Sequence, residues 1–208
     1  MTRPASFTTL AIVAAALALG ACSKNGAPVD NAAMVNEVAV GDATAENAVA
    51  GTAMAGVPQS VAFTGGDGAL LGSVMVSEDP GGLVLNLHGV AMPPGVHGIH
   101  LHETGLCDGP KFESAGKHWN PASKQHGRDN PAGAHAGDLA NLTVAKDGSA
   151  NVSIPIAGAK LASGAMMLAD ADGTALVIHA KPDDYKTDPS GDSGDRIACA
   201  VIAPPSGG

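Results

Sequence analysis

Residues 60–89 read SVAFTGGDGALLGSVMVSEDPGGLVLNLHG. Three short runs of Val, Leu and their neighbours are cut apart by Gly65-Gly66-Asp67-Gly68 and by Asp79-Pro80-Gly81-Gly82. Clusters of Gly, Asp and Pro supply the positive-φ and self-bonded backbone conformations that tight turns need, and each run between them is strand-length. The stretch therefore predicts three antiparallel strands, 60–63, 69–77 and 83–89. Pro93-Pro94-Gly95 and Asp147-Gly148 continue the punctuation, and further strands are expected at 96–103, 138–144, 150–155, 175–180 and 197–202. Short strands with turn signals at this spacing make an all-β antiparallel sandwich or barrel.

Composition sets what such a domain can be. The 208 residues are 45% hydrophobic but only 2% aromatic, so the core must be built from Ala, Val, Leu and Ile. Lys+Arg 11 against Asp+Glu 20 gives a net charge of -9, and no basic run interrupts it. Phosphate neutralisation requires a Lys/Arg face, so nucleic acid is excluded as a partner. No internal repeat is present. Gly65-Gly66-Asp67-Gly68 reads as a hairpin turn with no helix after it, which removes it as a phosphate cradle, and no Ser-His-Asp arrangement is supported.

The N-terminal end reads differently. Arg3 precedes an uncharged stretch, 7–21, too short to span a bilayer comfortably, which is the pattern of a cleaved export signal over 1–21. It closes on Leu19-Gly20-Ala21-Cys22, a quartet that resembles a bacterial lipobox, in which Cys22 becomes the lipidated first residue of the mature protein. Ser23 resembles the signal for outer-membrane retention. From 22 to 58, Ala, Gly, Asn, Val and scattered acids show no sustained period, as expected of a flexible tether carrying the domain at 59–208. The expected location is the cell envelope on the periplasmic side, anchored only by lipid.

The chemistry gathers in two long loops, between Glu103 and Asp138 and between Ala180 and Ile197. Loops that long in a compact β domain are usually functional. Of the 8 histidines, His100, His102, His118, His126, His135 and His179 lie in or beside them. Side chains alternate along a strand, so His100 and His102 share one face and His97 points to the other. His118, His126, His135 and Asp138 follow in a Gly/Asn/Pro loop free enough to converge, and three imidazoles with one carboxylate suit tetrahedral zinc. His179 with His100, His102 and one loop imidazole gives an all-nitrogen set that suits copper. Seven ligands for two four-coordinate ions imply that one histidine serves both. His97, turned to the opposite face, and His88, solvated or turn-bonded, are expected to bind no metal, and Met166-Met167 to be part of the core.

These residues stand in strings that resemble those of the bacterial copper–zinc superoxide dismutase family. The strings are Gly98-Ile99-His100-Leu101-His102-Glu103, Ser114-Ala115-Gly116-Lys117-His118-Trp119-Asn120-Pro121, His126-Gly127, His135-Ala136-Gly137-Asp138-Leu139, Val177-Ile178-His179-Ala180-Lys181 and Gly194-Asp195-Arg196-Ile197-Ala198-Cys199. They come in the family's order and span nearly all of 59–203. The resemblance implies an eight-stranded Greek-key barrel or flattened sandwich, immunoglobulin-like in architecture, with two long functional loops. It also implies dismutation of superoxide to O2 and hydrogen peroxide with one copper and one zinc per chain.

Carried over by residue, the resemblance makes His100, His102 and His179 copper ligands and His118 the bridge to zinc, with His126, His135 and Asp138 completing the zinc set. Asp183, or the adjacent Asp184 if the alignment slips by one, would join a copper histidine to a zinc histidine. Cys107 and Cys199 match the family's intrachain disulfide, which suits an exported chain whose remaining cysteine, Cys22, carries lipid. Arg196 resembles the active-site arginine that guides a small anion, with Lys117, Lys124, Lys181 and Lys186 as possible contributors. Lys117 stands where small or apolar residues are common, and the loop 185–195 is short. Bacterial relatives occur as monomers and as homodimers, so either state fits. The rival reading is a non-enzymatic copper- or zinc-binding envelope protein on the same scaffold; a zinc hydrolase is disfavoured because four ligands close the zinc site.

Overall fold

The computed structural model describes residues 59–206. The export signal, Cys22 and the tether lie outside the described residues. The opening meander is β1 (Gln59–Gly65), β2 (Leu70–Asp79) and β3 (Gly82–Gly89), with Val74 opposite Leu87 and Val76 opposite Leu85. It continues with β4 (Gly95–His97), β5 (Ile99–His102), β6 (Leu142–Val144), β7 (Ala150–Ala157), β8 (Thr174–His179) and β9 (Arg196–Ala203). The strands pair in the order β5-β8-β9-β1-β2-β3-β7, and β4 pairs with β6 in a separate ribbon. All the ladders are antiparallel. The ribbon joins the two ends of the large sheet, because β4 leads through Gly98 into β5 and β6 leads through the Asp147-Gly148 turn into β7.

Two sequence expectations change in detail. The single strand expected at 96–103 is two strands broken at Gly98, whose N–H donates to Lys181 O and whose carbonyl accepts from His179 N, each at 2.8 Å. A side chain there would bring its Cβ within 2.9 Å of Ser193 Cβ, so only glycine lets the second loop approach this closely. The strand expected at 138–144 begins only at Leu142, because Asp138 N–H turns back onto His135 O and the segment serves the loop instead of a ladder.

Period-2 alternation places the core. Val74, Val76, Leu83, Leu85 and Leu87 are buried with Phe63, Ile99, Leu101, Leu176, Ile178 and Ile202, while Asn86 and His88 on the other face of β3 are exposed. His88 Nδ1 lies 2.6 Å from Asn151 Oδ1, and Met166 packs against the core. Strand β8 is buried along its whole length, since its second face, Ala175 and Val177, lies under Phe112 and Ala115 of the first long loop.

That loop is tied down by the Cys107–Cys199 disulfide, which spans 92 residues with Cα atoms 5.7 Å apart. Cross-linking so distant a pair removes much of the unfolded chain's freedom, so Cys107→Ser is expected to destabilise the domain by about 2–5 kcal/mol. Urea unfolding measures it, and an unchanged midpoint would show that the loop is held by other contacts alone.

Candidate metal centre

Strand parity carries His100 and His102 to one face of β5, where isolated bridges hold the loop strands: His100 to Asp138 and His102 to His118. His179 ends β8 beside them, its ring centroid 4.8 Å from that of His100. One nitrogen of each of these rings is occupied by a protein acceptor. His102 Nδ1 reaches Gly116 O at 3.1 Å, His179 Nδ1 reaches Gly194 O at 3.2 Å, and His100 Nε2 reaches Asp183 Oδ2 at 2.9 Å. A neutral imidazole that donates through one nitrogen exposes a lone pair on the other. The lone pairs therefore fall on His100 Nδ1, His102 Nε2 and His179 Nε2.

These three, with His118 Nε2, are the buried side-chain polar atoms without a hydrogen-bond partner among the described residues. Buried polar atoms are almost always paired, and four such exceptions on one cluster call for an explanation. The four histidines place a ligand atom apiece within 4.8 Å of one another, so this constellation could hold a metal ion through nitrogen alone.

The second set forms around Asp138. Its Oδ1 lies 3.0 Å from His118 Nδ1, 3.0 Å from His126 Nδ1 and 3.1 Å from His135 Nδ1, and the His118 and His135 Nδ1 atoms are 3.4 Å apart. A tetrahedron with zinc–ligand distances of 2.0–2.1 Å has edges of about 3.3 Å, so these separations would suit a zinc ion. His100 also comes within 4.8 Å of the His118–His126–Asp138 group. Its Nε2 is taken by Asp183, however, and its free Nδ1 faces the first set; His135 Nδ1, 3.1 Å from Asp138 Oδ1, would serve as the fourth corner. The other oxygen, Asp138 Oδ2, accepts from Gly127 N and His135 N, which fixes the carboxylate. His118 is the ring common to both sets, one nitrogen in each.

Asp183 connects the two sets a second time. Its Oδ2 meets His100 Nε2, and its Oδ1 meets His126 Nε2 at 3.0 Å. Adjacent Asp184 is exposed and accepts from Lys186 N and Thr187 N within its own turn. His97 points away as parity requires, with Nδ1 2.8 Å from His179 O and Nε2 2.9 Å from Pro93 O. Arg196 enters from the start of β9, donating through Nη1 to Phe112 O and through Nη2 to Gly116 O at 2.6 Å. Gly116 O thus anchors both Arg196 and His102. Sequence reasoning missed Asn141, whose amide receives Asp183 N and donates to Asp183 O, and Asp188, which accepts from His126 N. Loop side chains that bond backbone have no periodic signature.

The electrostatics follow from burial and from the carboxylates. Burial, reinforced by His118 and Arg196, pushes His102 down to about 2. Burial likewise brings His179 down to about 3, with His100 adding to it, and His118 to about 4 against the pull of Asp138. These rings are neutral at pH 7, as metal ligation requires. His126 behaves oppositely: burial lowers it, but Asp138 and Asp183 outweigh burial and raise it to about 9. Burial raises both carboxylates, yet hydrogen bonds from His118 and His126 hold Asp138 far below its ordinary range, and His100 and His126 do the same for Asp183. Desolvation lowers Arg196, which stays charged at any physiological pH.

These directions give the metal-free protein a defined pH response. His102, His118 and His179 have folded values below their ordinary 6.5, so the unfolded chain binds more protons and stability falls as pH drops below 6.5. The depressed Asp138 and Asp183 lose their contribution at lower pH still, in the same direction. The raised His126 contributes fully below 6.5 and loses its contribution as pH rises through about 9. The melting temperature of the metal-free protein is therefore expected to fall steadily from about pH 6 to about pH 4. A rise over that interval would contradict the burial of neutral rings.

Comparison with known proteins agrees with this geometry. Residues 70–202 match the family described as copper/zinc superoxide dismutase. A Caulobacter vibrioides superoxide dismutase [Cu-Zn] is 46% identical over 140 residues, 66% of this chain and 80% of the relative. An Aquifex aeolicus superoxide dismutase [Cu-Zn] is 41% identical over 138 residues, 65% of this chain and 81% of the relative. The crystal structure of a SOD-like protein from Bacillus subtilis superposes with a TM-score of 0.67 at 38% identity, covering 70% of this chain and 99% of that one. The copper/zinc superoxide dismutase of Brucella abortus gives 0.55 at 30% identity over 70% and 99%. Two histidine constellations that meet at His118, on an antiparallel β fold matched over 70–202, place this chain in the copper/zinc superoxide dismutase family.

Proposed function

We propose that this chain dismutes superoxide to O2 and hydrogen peroxide, holding copper through His100 Nδ1, His102 Nε2, His118 Nε2 and His179 Nε2. Zinc is held through the Nδ1 atoms of His118, His126 and His135 and through Asp138 Oδ1. The observation that carries the assignment is the set of four partnerless buried nitrogens, since each is the nitrogen left free by its ring's other hydrogen bond. When bound, copper supplies the one-electron redox couple that exchanges electrons with two superoxide anions in turn.

The chain's own groups do the remainder. Arg196 spends two N–H donors on Phe112 and Gly116 carbonyls, which fixes the guanidinium plane, and offers its remaining donors to a small anion. Its fixed positive charge makes the site locally attractive to an anion on a chain whose net charge is -9. His118 Nε2, whenever it is not ligating, would be the atom that takes up and returns a proton, while Nδ1 keeps the ring in place beside Asp138. Asp183 fixes the orientation of His100 and His126 together, as outer carboxylates do around metal-binding imidazoles. The test is inhibition of cytochrome c reduction in a xanthine oxidase system. The copper- and zinc-loaded chain is expected to inhibit catalytically and the metal-free chain to have no effect, and equal behaviour of the two would refute the proposal.

The proposed setting is the cell envelope, with Cys22 lipidated. It is supported by Leu19-Gly20-Ala21-Cys22 after an uncharged stretch and by the Cys107–Cys199 disulfide, which belongs to oxidising compartments. Cys22→Ser is expected to abolish palmitate labelling in cells and to shift the protein from the membrane to the soluble fraction. Undiminished labelling would contradict the anchor.

A further inference from the structure

Tyr185 lies in the second long loop, next but one to Asp183, and has no part in the ligand sets above. Its phenol oxygen accepts from Asn141 N at 2.8 Å, and its own N–H donates to Asp183 Oδ1 at 2.6 Å. Its carbonyl accepts from Asp129 N at 3.0 Å, and the Arg128 guanidinium carbon sits 3.8 Å over its ring, inside the range of a cation–π contact. The backbone at Tyr185 is left-handed, φ 63°, an uncommon conformation for an aromatic residue that surrounding contacts must hold.

The partners identify what these contacts control. Arg128 and Asp129 follow His126 by two and three residues, Asn141 follows Asp138 by three, and Asp183 precedes Tyr185 by two. Three separate backbone segments, carrying His126, Asp138 and Asp183, are therefore tied together through a single residue. The fit is close: a side chain at Gly127 would put its Cβ 2.2 Å from Tyr185 O, so glycine is required where the two loops meet. Asn141 completes the tie by pairing its amide with Asp183 N and O at 2.8 and 2.9 Å.

Resting on the ligand assignment above, we propose that Tyr185 is a positioning residue that holds Asp183 between His100 and His126 and thereby controls how tightly the zinc set retains its ion. The phenol oxygen and the ring act separately: the oxygen fixes the Asn141 backbone, and the ring under Arg128 fixes the segment after His126. Tyr185→Phe keeps the ring and loses the oxygen; Tyr185→Ala loses both; Arg128→Gln weakens the ring contact alone.

The experiment follows zinc release from the full chain, loaded with zinc and copper, to an excess of a colorimetric chelator, alongside the visible spectrum of protein carrying cobalt(II) in place of zinc. Release is expected to accelerate roughly 10- to 100-fold in Tyr185→Ala and by smaller factors in Tyr185→Phe and Arg128→Gln, with shifted cobalt band positions. Release at the wild-type rate with an unshifted cobalt spectrum overturns the role, even if the metal-free melting temperature drops. Should Tyr185→Ala fail to fold, the other two variants decide by the same criteria. If the unmutated chain itself takes up no zinc, the ligand assignment fails instead, which separates the two outcomes.

Discussion

His118→Ala is expected to lower superoxide-dismuting activity by roughly 100-fold or more while leaving the β fold intact. In the proposed assignment this ring belongs to both ligand sets, so its removal takes a corner from each at once. Asp138 Oδ1 keeps His126 and His135 but loses a partner 3.0 Å away, and the four free nitrogens become three. Circular dichroism should be unchanged, because Leu101, Trp119 and the rest of the core do not depend on the ring. Copper and zinc, counted on the same sample, should both bind more weakly. A variant with full activity and both metals in place would end the assignment of His118 to both sets.

Arg196→Glu is expected to slow the reaction by about tenfold or more at low ionic strength, because it reverses the charge of the group that attracts the anion. Salt separates attraction from damage. The unmutated protein should slow as ionic strength rises, whereas the variant should respond weakly or in the opposite sense, since screening now relieves repulsion. The introduced carboxylate also faces the carbonyls of Phe112 and Gly116, and Gly116 O orients His102, so some loss comes from geometry. Arg196→Lys keeps the charge without the fork, and it should retain the salt dependence at a reduced rate. Equal rates for all three proteins at low salt would reject the steering role.

The strands and the metal chemistry were not equally legible in the sequence. Strand alternation alone separated His97 from His100 and His102, because period 2 leaves no freedom once a strand is assigned. The same period carries Val74, Val76, Leu83, Leu85 and Leu87 of β2 and β3 into the core. It could not show the break at Gly98, where a glycine reads equally well as strand interior and hinge until the second loop is seen packed against it. The same limit applies to loops. Nothing in Pro182-Asp183-Asp184-Tyr185 distinguishes the two carboxylates; their difference comes from a turn that Asp184 itself closes by accepting from Lys186 and Thr187, leaving Asp183 turned inward. Asn141 and Tyr185 were invisible for a related reason, since their partners are backbone groups brought near only by the completed fold.

The measurement that bears most directly on the central claim is the decay of superoxide after pulse radiolysis, with copper and zinc counted on the same protein. One copper and one zinc per chain with first-order decay proportional to enzyme concentration, far above the spontaneous rate, is the predicted result. Full metal content with decay no faster than in buffer would contradict it and leave the chain a metal-binding protein on a dismutase scaffold.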